Sequence, residues 1–150
     1  MRARVLATLT AVGCGYSPGS FHSPLQSFPG QHATVGCLDV AVDRRQDRDS
    51  GEIIVEYAFG NRCDRPALVD LAAAVVRGRT ADQQTVALVA YDPRGQILPL
   101  RIDGRAVGGE TIAYVTDTPL REVCVDAASI VHADSPAWSC FPSQPEPEVP

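Results

Sequence analysis

The chain has 150 residues, of which 45% are hydrophobic and 21% charged, a composition typical of one globular domain rather than of a disordered or membrane-spanning chain. All thirteen basic residues are arginines, and the formal net charge of −5 at pH 7 disfavours a nucleic-acid partner, which requires a clustered basic surface. Residues 43–49 hold the densest arginines, but aspartates alternate with them, which favours a solvated hairpin tip.

The N-terminus carries the features of an export leader. Arg2 and Arg4 precede an apolar run over residues 5–12, which ends in Gly13 and Cys14. This order resembles a bacterial lipoprotein signal, in which residues 1–13 are removed and Cys14 is acylated. The resemblance implies lipidation at Cys14 and a membrane partner through the lipid anchor. A conventionally cleaved secretory leader is the alternative, and the run is too short to span a bilayer.

The two ends of the mature chain are expected to stay outside the core. Residues 14–35 are rich in Ser, Pro, Gly, Gln and His without helical or alternating periodicity, so they are predicted to form a flexible tether. Residues 142–150 are Pro-rich and acidic, which predicts a disordered, extended tail. The globular domain is therefore predicted over residues 36–141.

The first part of this domain alternates with period two. In residues 37–43, and again in residues 53–59, apolar side chains occupy every second position. This alternation is typical of half-buried strands. The two segments, joined by the charged turn, predict a hairpin with one buried face.

Residues 67–77 allow two interpretations. Asp64 as a cap, with Pro66 in the first turn, would begin a helix through the Ala-rich run. The alternative is a strand with every second residue from 69 to 75 facing inward. The strand is favoured, because the neighbouring segments are strands and Gly78 falls where a turn is needed.

Strand signals continue through the rest of the domain. Residues 84–91 continue the alternation, and residues 92–95, Asp-Pro-Arg-Gly, predict a type I turn that returns residues 97–102 onto this strand. Because Pro99 has no N–H, the returning strand is predicted at an edge or beside a bulge. Residues 103–110 are predicted as a Gly-rich connection. Further strands follow at residues 111–115 and around Cys124, with a helical turn near residue 127. About seven short strands predict an all-β fold, a two-sheet antiparallel sandwich.

The cysteine count supports export. With Cys14 acylated, Cys37, Cys63, Cys124 and Cys140 form an even set, which predicts two disulfides. Three connectivities are possible, and Cys37–Cys140 with Cys63–Cys124 is favoured because the first bond would tie the first strand to the end of the domain. The spacing contains no C-x-x-C, which argues against a structural zinc ion.

The stretch YAFGNRCDRPALVDL, residues 57–71, resembles a segment of bacterial immunoglobulin-like envelope domains, in which a strand ends in Asn, a loop carries Pro and an apolar strand follows. With the leader, the chain resembles uncharacterised lipoproteins of GC-rich Gram-negative bacteria. The resemblance implies an immunoglobulin-like β-sandwich that acts as a scaffold or binding module. Because Gly15 rather than Asp follows Cys14, it also implies sorting to the outer membrane. The chain departs from antibody-type domains, since Trp138 follows Cys124.

Candidate catalytic and metal-binding patterns are incomplete. Residues 15–19 match G-x-S-x-G, but they lie in the predicted tether without the strand and helix that a nucleophile elbow requires. His132, near Asp134, is expected to be solvated. Residues 47–51 match part of a calcium loop, yet Ala58 stands where a bidentate Glu should close it. No catalytic residue, metal or cofactor is therefore predicted.

Two functional hypotheses follow. The first is a non-enzymatic cell-envelope lipoprotein, facing the periplasm or the cell surface, whose domain binds another envelope protein or supports an assembly; a secreted or periplasmic protein is the alternative location. The second is a small carbohydrate-binding or hydrolytic envelope protein that uses surface carboxylates and aromatic side chains. Its candidate carboxylates are those expected on the outer face of the first hairpin: Asp39, Asp43, Glu52 and Glu56.

Overall fold

The computed structural model describes residues 15–46 and 52–142. The leader with Cys14, the loop resembling a calcium site and the tail beyond Pro142 lie outside these ranges, so the predictions made for them stay predictions. None of the helices in the described part of the chain is long and apolar enough to cross a membrane.

Ten strands and two single-turn 3-10 helices make up the described part of the fold. The helices are Leu71–Ala73 and Ser129–Val131. The strands are β1 (Gln31–Val35), β2 (Leu38–Gln46), β3 (Ile53–Asn61), β4 (Ala67–Val69), β5 (Val75–Arg79), β6 (Thr85–Ala90), β7 (Leu100–Ile102), β8 (Val107–Val115), β9 (Glu122–Asp126) and β10 (Trp138–Pro142).

Eight of the strands form one antiparallel sheet in the order β1-β2-β3-β8-β6-β5-β9-β10, and β4 pairs with β7 in a small second sheet. The large sheet is nearly closed into a barrel. The side chain of Gln31 in β1 donates to the carbonyl oxygen of Cys140 in β10, and Arg44 in β2 donates to that of Phe141 at 3.3 Å. The all-β prediction is confirmed, but eight strands are joined continuously instead of being divided clearly between two sheets.

The core lies inside the curved sheet and follows from the period-two alternation. The predicted first hairpin is confirmed: β2 pairs with β3, and Val40 lies opposite Phe59. The inward apolar side chains of both strands are buried, as are Val123 and Val125 of β9. Each apolar side chain removed from water in this way contributes about 1.5 to 3 kcal/mol to folding.

Residues 67–77, for which a helix and a strand were predicted as alternatives, contain both strand and helical turn. They form β4, one 3-10 turn and the start of β5. Asp70, not Asp64, caps the turn, because its Oδ1 accepts the backbone N–H of Ala72 at 3.1 Å. The turn also shifts the alternation by one residue, so that Val76 is buried while Val75 is partly exposed. The predicted inward position of Val75 is therefore wrong.

The predicted return of residues 97–102 onto β6 is also wrong. The turn at residues 92–95 is present, but the carboxylate of Asp92 accepts the N–H groups of Gln96 and Ile97 at 2.6 and 3.1 Å, which holds these residues out of the sheet. Pro99 has no N–H to donate. Strand β7 pairs with β4 instead, and β8 lies beside β6. Strand β8 begins at Val107, inside the segment predicted as a connection.

Two disulfides are present, as predicted, but the favoured connectivity is wrong. The bonds join Cys37 to Cys63 and Cys124 to Cys140. Cys37 directly precedes β2 and Cys63 closely follows β3, so antiparallel pairing brings them together. Cys124 and Cys140 lie directly opposite each other in β9 and β10. Each bond therefore links neighbouring strands and none joins the two ends of the domain.

The segment predicted as a tether is part of the folded domain. Its last residues form β1, which pairs with β2 over its whole length. The preceding residues lie against the outer face of β2 and β3, where Tyr16 and Phe28 are buried on Ala41 and Ala58. The prediction of a flexible segment up to residue 35 is wrong for the described residues, because isolated aromatic side chains bury it. We call residues 15–30 the N-terminal clasp.

Candidate functional site

The N-terminal clasp is organised around Asp39, a fully buried carboxylate on the outer face of β2. Oδ2 of Asp39 accepts the hydroxyl of Tyr16 at 2.9 Å and the backbone N–H of Gly19. Oδ1 accepts the hydroxyl of Thr34 at 2.8 Å and lies 3.6 Å from Nε of Arg62. A buried carboxylate is costly unless such donors satisfy it. Asp39 thus joins the clasp, β1 and the loop after β3.

Tyr16 fixes the beginning of the clasp. Its ring stacks on Phe28 with centroids 5.8 Å apart, and it covers Gly60 of β3 so closely that a Cβ on Gly60 would lie 2.1 Å from the ring. Its backbone N–H donates to the carbonyl oxygen of Arg105. Burial, followed by the hydrogen bond to Asp39, raises the pKa of the Tyr16 hydroxyl. The chain is therefore held to the domain from the second described residue.

The rest of the clasp is bound by aromatic and polar contacts. The ring of Phe21 stacks on that of His32 with centroids 4.2 Å apart. Nε2 of His32 lies 2.8 Å from the carbonyl oxygen of Phe28. The side-chain amide of Gln26 donates to the carbonyl oxygen of Gly108 at 2.6 Å. The clasp is thus attached to β1 and to β8 as well as to β2 and β3.

The clasp leaves a surface cavity beside its first residue. The cavity has a volume of about 340 Å³, and its lining includes Gly15, Leu25 and Arg105. Leu25 is 91% exposed. The guanidinium of Arg105 is paired with Asp64, its Nε lying 2.8 Å from Oδ1.

The four carboxylates predicted on the outer face of the first hairpin do not form one cluster. Asp43 and Glu56 are directly opposed in β2 and β3, and Glu56 lies 3.0 Å from Arg45. Asp39 is separated from them beneath the clasp, where it is fully buried. Glu52 is partly exposed just before β3. The structure therefore brings together only the Asp43 and Glu56 pair.

The candidate nucleophile and base are far from catalytic geometry in the described residues. Ser17 is exposed, and its carbonyl oxygen accepts the N–H of Ser20 in a turn. Within residues 15–30, neither a strand nor a helix flanks this turn. His132 is exposed in a left-handed conformation, with φ of 54°. Its Nε2 lies 3.6 Å from Asp70, not beside Asp134.

The aromatic residues are divided between core and surface. Tyr57, Phe59 and Tyr114 lie in the core, and the hydroxyls of Tyr57 and Tyr114 are 2.9 Å apart. Burial raises the pKa of both, and that of Tyr57 by more. Tyr91 and Trp138 are exposed instead, and the guanidinium of Arg77 lies 4.9 Å from the centre of the Trp138 ring.

One cluster of metal-ligating residue types lies near Trp138. The side chains of Glu122, Cys124 and Cys140 fall within 4.8 Å of one another. Both sulfurs belong to a disulfide, so they provide no thiolate to a metal ion.

The site around Asp39 was not predicted from the sequence. Asp39 lies on the polar face of an alternating strand, a position that favours solvent exposure. Two signals point to the site in retrospect: the isolated aromatics of the clasp, and Gly60 inside a strand, where glycine often marks a close approach. Neither identifies the partner of Asp39.

Comparison with known proteins gives little further information. No family model matches the chain, and no curated protein matches it. Among solved structures, the crystal structure of the yjhA protein from Bacillus subtilis matches with a TM-score of 0.45 and 15% sequence identity, over 71% of this chain and 83% of that chain. A similarity of this size carries no argument about function.

Proposed function

We propose that the chain is a non-enzymatic cell-envelope lipoprotein, attached to the membrane through Cys14, whose β-domain is a binding module for another envelope protein. The single observation that carries this proposal is the position of the clasp. Tyr16 is buried and bonded to Arg105, so the residue after the proposed anchor lies at the surface of the folded domain. A lipid on Cys14 would therefore hold the domain directly at the membrane.

The disulfides support export. Two such bonds are typical of proteins outside a reducing cytoplasm. Together with the lipoprotein-type leader, they support a place in the envelope, and we propose the outer membrane, facing the periplasm or the cell surface. Release as a secreted or periplasmic protein is the alternative if the leader is cleaved without acylation.

The proposed relation to immunoglobulin-like envelope domains depends on how the large sheet is divided. Strands β6 and β8 share only two residue pairs, Val89 with Val115 and Ala90 with Tyr114. On this proposal, that short junction separates two sheets of a sandwich, one containing β1, β2, β3 and β8, the other β6, β5, β9 and β10.

Metabolic labelling tests the anchor. The full-length gene is expressed in a Gram-negative host with a palmitate analogue, as wild type, as Cys14→Ser and as Ser17→Ala. Ser17 is exposed in the same segment, so its variant is the matched control. We expect label in the wild type and in Ser17→Ala and none in Cys14→Ser. Equal labelling of Cys14→Ser, or a chain that retains Met1 and has free thiols, would contradict the proposal.

A further inference from the structure

Strand β8 has an open edge along two thirds of its length, residues 107–112 of the nine in Val107–Val115. On one side it pairs with β3 from Val107 to Tyr114. On the other side, among the described residues, its pairing with β6 ends where the N–H of Tyr91 donates to the carbonyl oxygen of Ala113 at 2.8 Å. The chain then turns away at residues 92–95. Residues 107–112 of β8 therefore have no strand partner on the β6 side in the described structure.

The backbone groups of this edge face outward from the sheet. The carbonyl of Ala113 is directed toward β6, and alternate residues of an antiparallel strand direct their N–H and C=O groups to the same side. Thr111 and Gly109 therefore present theirs to the open side. The N–H of Thr111 donates only to the side chain of its neighbour, Glu110, at 3.0 Å. That carboxylate occupies the place where a partner strand would offer a carbonyl oxygen.

A groove of about 660 Å³ lies beside the part of the open edge that is nearest to β6. Residues 110–113 of β8 form one wall and residues 96–100 form the other, with Leu71 also in the lining. The groove lies where β6 would continue if the chain did not turn at Asp92. Neighbouring strands of a sheet are about 4.8 Å apart, so a segment one strand wide placed against β8 would complete the sheet.

Exposed apolar side chains are concentrated around the same edge. Tyr91 and Leu98 line the groove and are 57% and 71% exposed. Val89 and Val115, which form one of the two β6–β8 residue pairs, are also exposed. Single exposed apolar residues are common, but a cluster beside unpaired backbone marks an interaction site.

We propose that this groove binds an extended, apolar peptide segment of another protein, which adds to β8 as an antiparallel strand in line with β6. Backbone hydrogen bonds to Gly109 and Thr111 would hold the peptide, and alternate side chains would contact Tyr91 and Leu98. Two carboxylates, of Asp92 and Glu110, and one guanidinium, of Arg94, line the groove, and this negative excess disfavours acidic peptides. This inference deepens the proposed binding function, on which it rests, by naming the class of partner and its site.

Selection of peptides tests the proposal. The oxidised full chain carrying Cys14→Ser is immobilised, so that the result does not depend on a lipid anchor. The probe is a phage-displayed library of random linear heptapeptides, and the enriched peptides are measured by fluorescence anisotropy. The matched variants are Thr111→Pro, which removes the N–H that faces the groove without removing one that faces β3, and Thr111→Val, which keeps it.

We expect enriched peptides with apolar residues at alternate positions. They bind Thr111→Val as they bind the parent chain, and Thr111→Pro at least tenfold more weakly. A second control leaves the protein unchanged and N-methylates the peptide at every second residue, starting either from its first or from its second residue. We expect only one of these two methylated forms to lose binding. Equal binding to Thr111→Pro with no effect of N-methylation, or no enrichment, would overturn the proposal. So would a dimer that Thr111→Pro dissociates in sedimentation, because a second copy would then occupy the groove.

Discussion

A single buried carboxylate, Asp39, connects segments that are far apart in the sequence. It accepts hydrogen bonds from Tyr16, Gly19 and Thr34, and Arg62 supplies a nearby positive charge. The donors on Tyr16 and Thr34 were identifiable only after the fold was known, because both residues lie in a segment whose composition predicts disorder. The burial of Asp39 depends on long-range contacts that no local pattern encodes.

The variant Asp39→Asn is expected to lower the free energy of unfolding by about 2 to 3 kcal/mol. The amide oxygen accepts fewer hydrogen bonds than the carboxylate, and the amide nitrogen is a donor placed among donors. Urea unfolding of the oxidised protein measures the change. Asp43→Asn, on the same face of β2, is the control and should change stability by less than about 0.5 kcal/mol. Equal effects of the two substitutions would contradict the role given to Asp39.

Two buried tyrosines, Tyr57 and Tyr114, predict a dependence of stability on alkaline pH. Their pKa values are raised above the ordinary value of 10.0 in the folded chain. Above pH 10 the unfolded chain releases protons that the folded chain keeps, so stability is fully present below pH 10 and falls as the pH rises. The fall approaches about 1.4 kcal/mol per pH unit for each tyrosine.

Urea unfolding between pH 8 and pH 11.5 tests this dependence. The double variant Tyr57→Phe with Tyr114→Phe removes both hydroxyls, and we expect it to lose the part of the alkaline decrease that these two tyrosines cause, while Tyr16, whose pKa is also raised, keeps its own part. Tyr91→Phe is the control, because Tyr91 is exposed and its substitution should leave the pH profile of the wild type unchanged. If the free energy of unfolding of the double variant decreases with pH as steeply as that of the wild type, other groups cause the decrease.

At the scale of the elements, period-two alternation was enough to predict the strands with one buried face. Strands β2, β3 and β9 lie where the sequence predicts them. The strand predictions are wrong where a side chain accepts hydrogen bonds from the backbone. The carboxylates of Asp70 and Asp92 accept backbone N–H groups and thereby interrupt strands that the alternation alone would continue. Glycines 108 and 109 were assigned to a connection, although they lie in β8.

The disulfides connect adjacent elements, and their mapping tests the strand pairing. Digestion without reduction should give one pair of fragments joined through Cys37 and Cys63 and another joined through Cys124 and Cys140, identified by mass spectrometry. Replacing either pair by alanine should cost about 3 kcal/mol of stability, because each closes a loop of moderate length. Fragments joined through Cys37 and Cys140 would mean that β9 and β10 are not paired as described.

At the scale of the whole molecule, the sequence predicted the all-β class and the two disulfides but not the strand order. Strand β8 lies between β3 and β6, and β7 leaves the large sheet for β4. Such pairings join residues distant in sequence, and no local signal specifies them. The burial of the clasp was not predicted for a related reason, since its aromatic side chains are buried only when β2 and β3 have already formed the face on which they pack.

Hydrogen–deuterium exchange across residues 15–30 of the full-length oxidised chain tests most directly whether the clasp is part of the domain. We expect strong protection of the amides of Tyr16 and Gly19, whose N–H groups bond to Arg105 and Asp39. In Gly60→Ala, where the new Cβ displaces the Tyr16 ring, this protection should fall while that of β9 remains. Exchange of residues 15–30 in the wild type as fast as in the urea-unfolded chain would contradict the clasp, and with it the proposal that a lipid on Cys14 would hold the domain directly at the membrane.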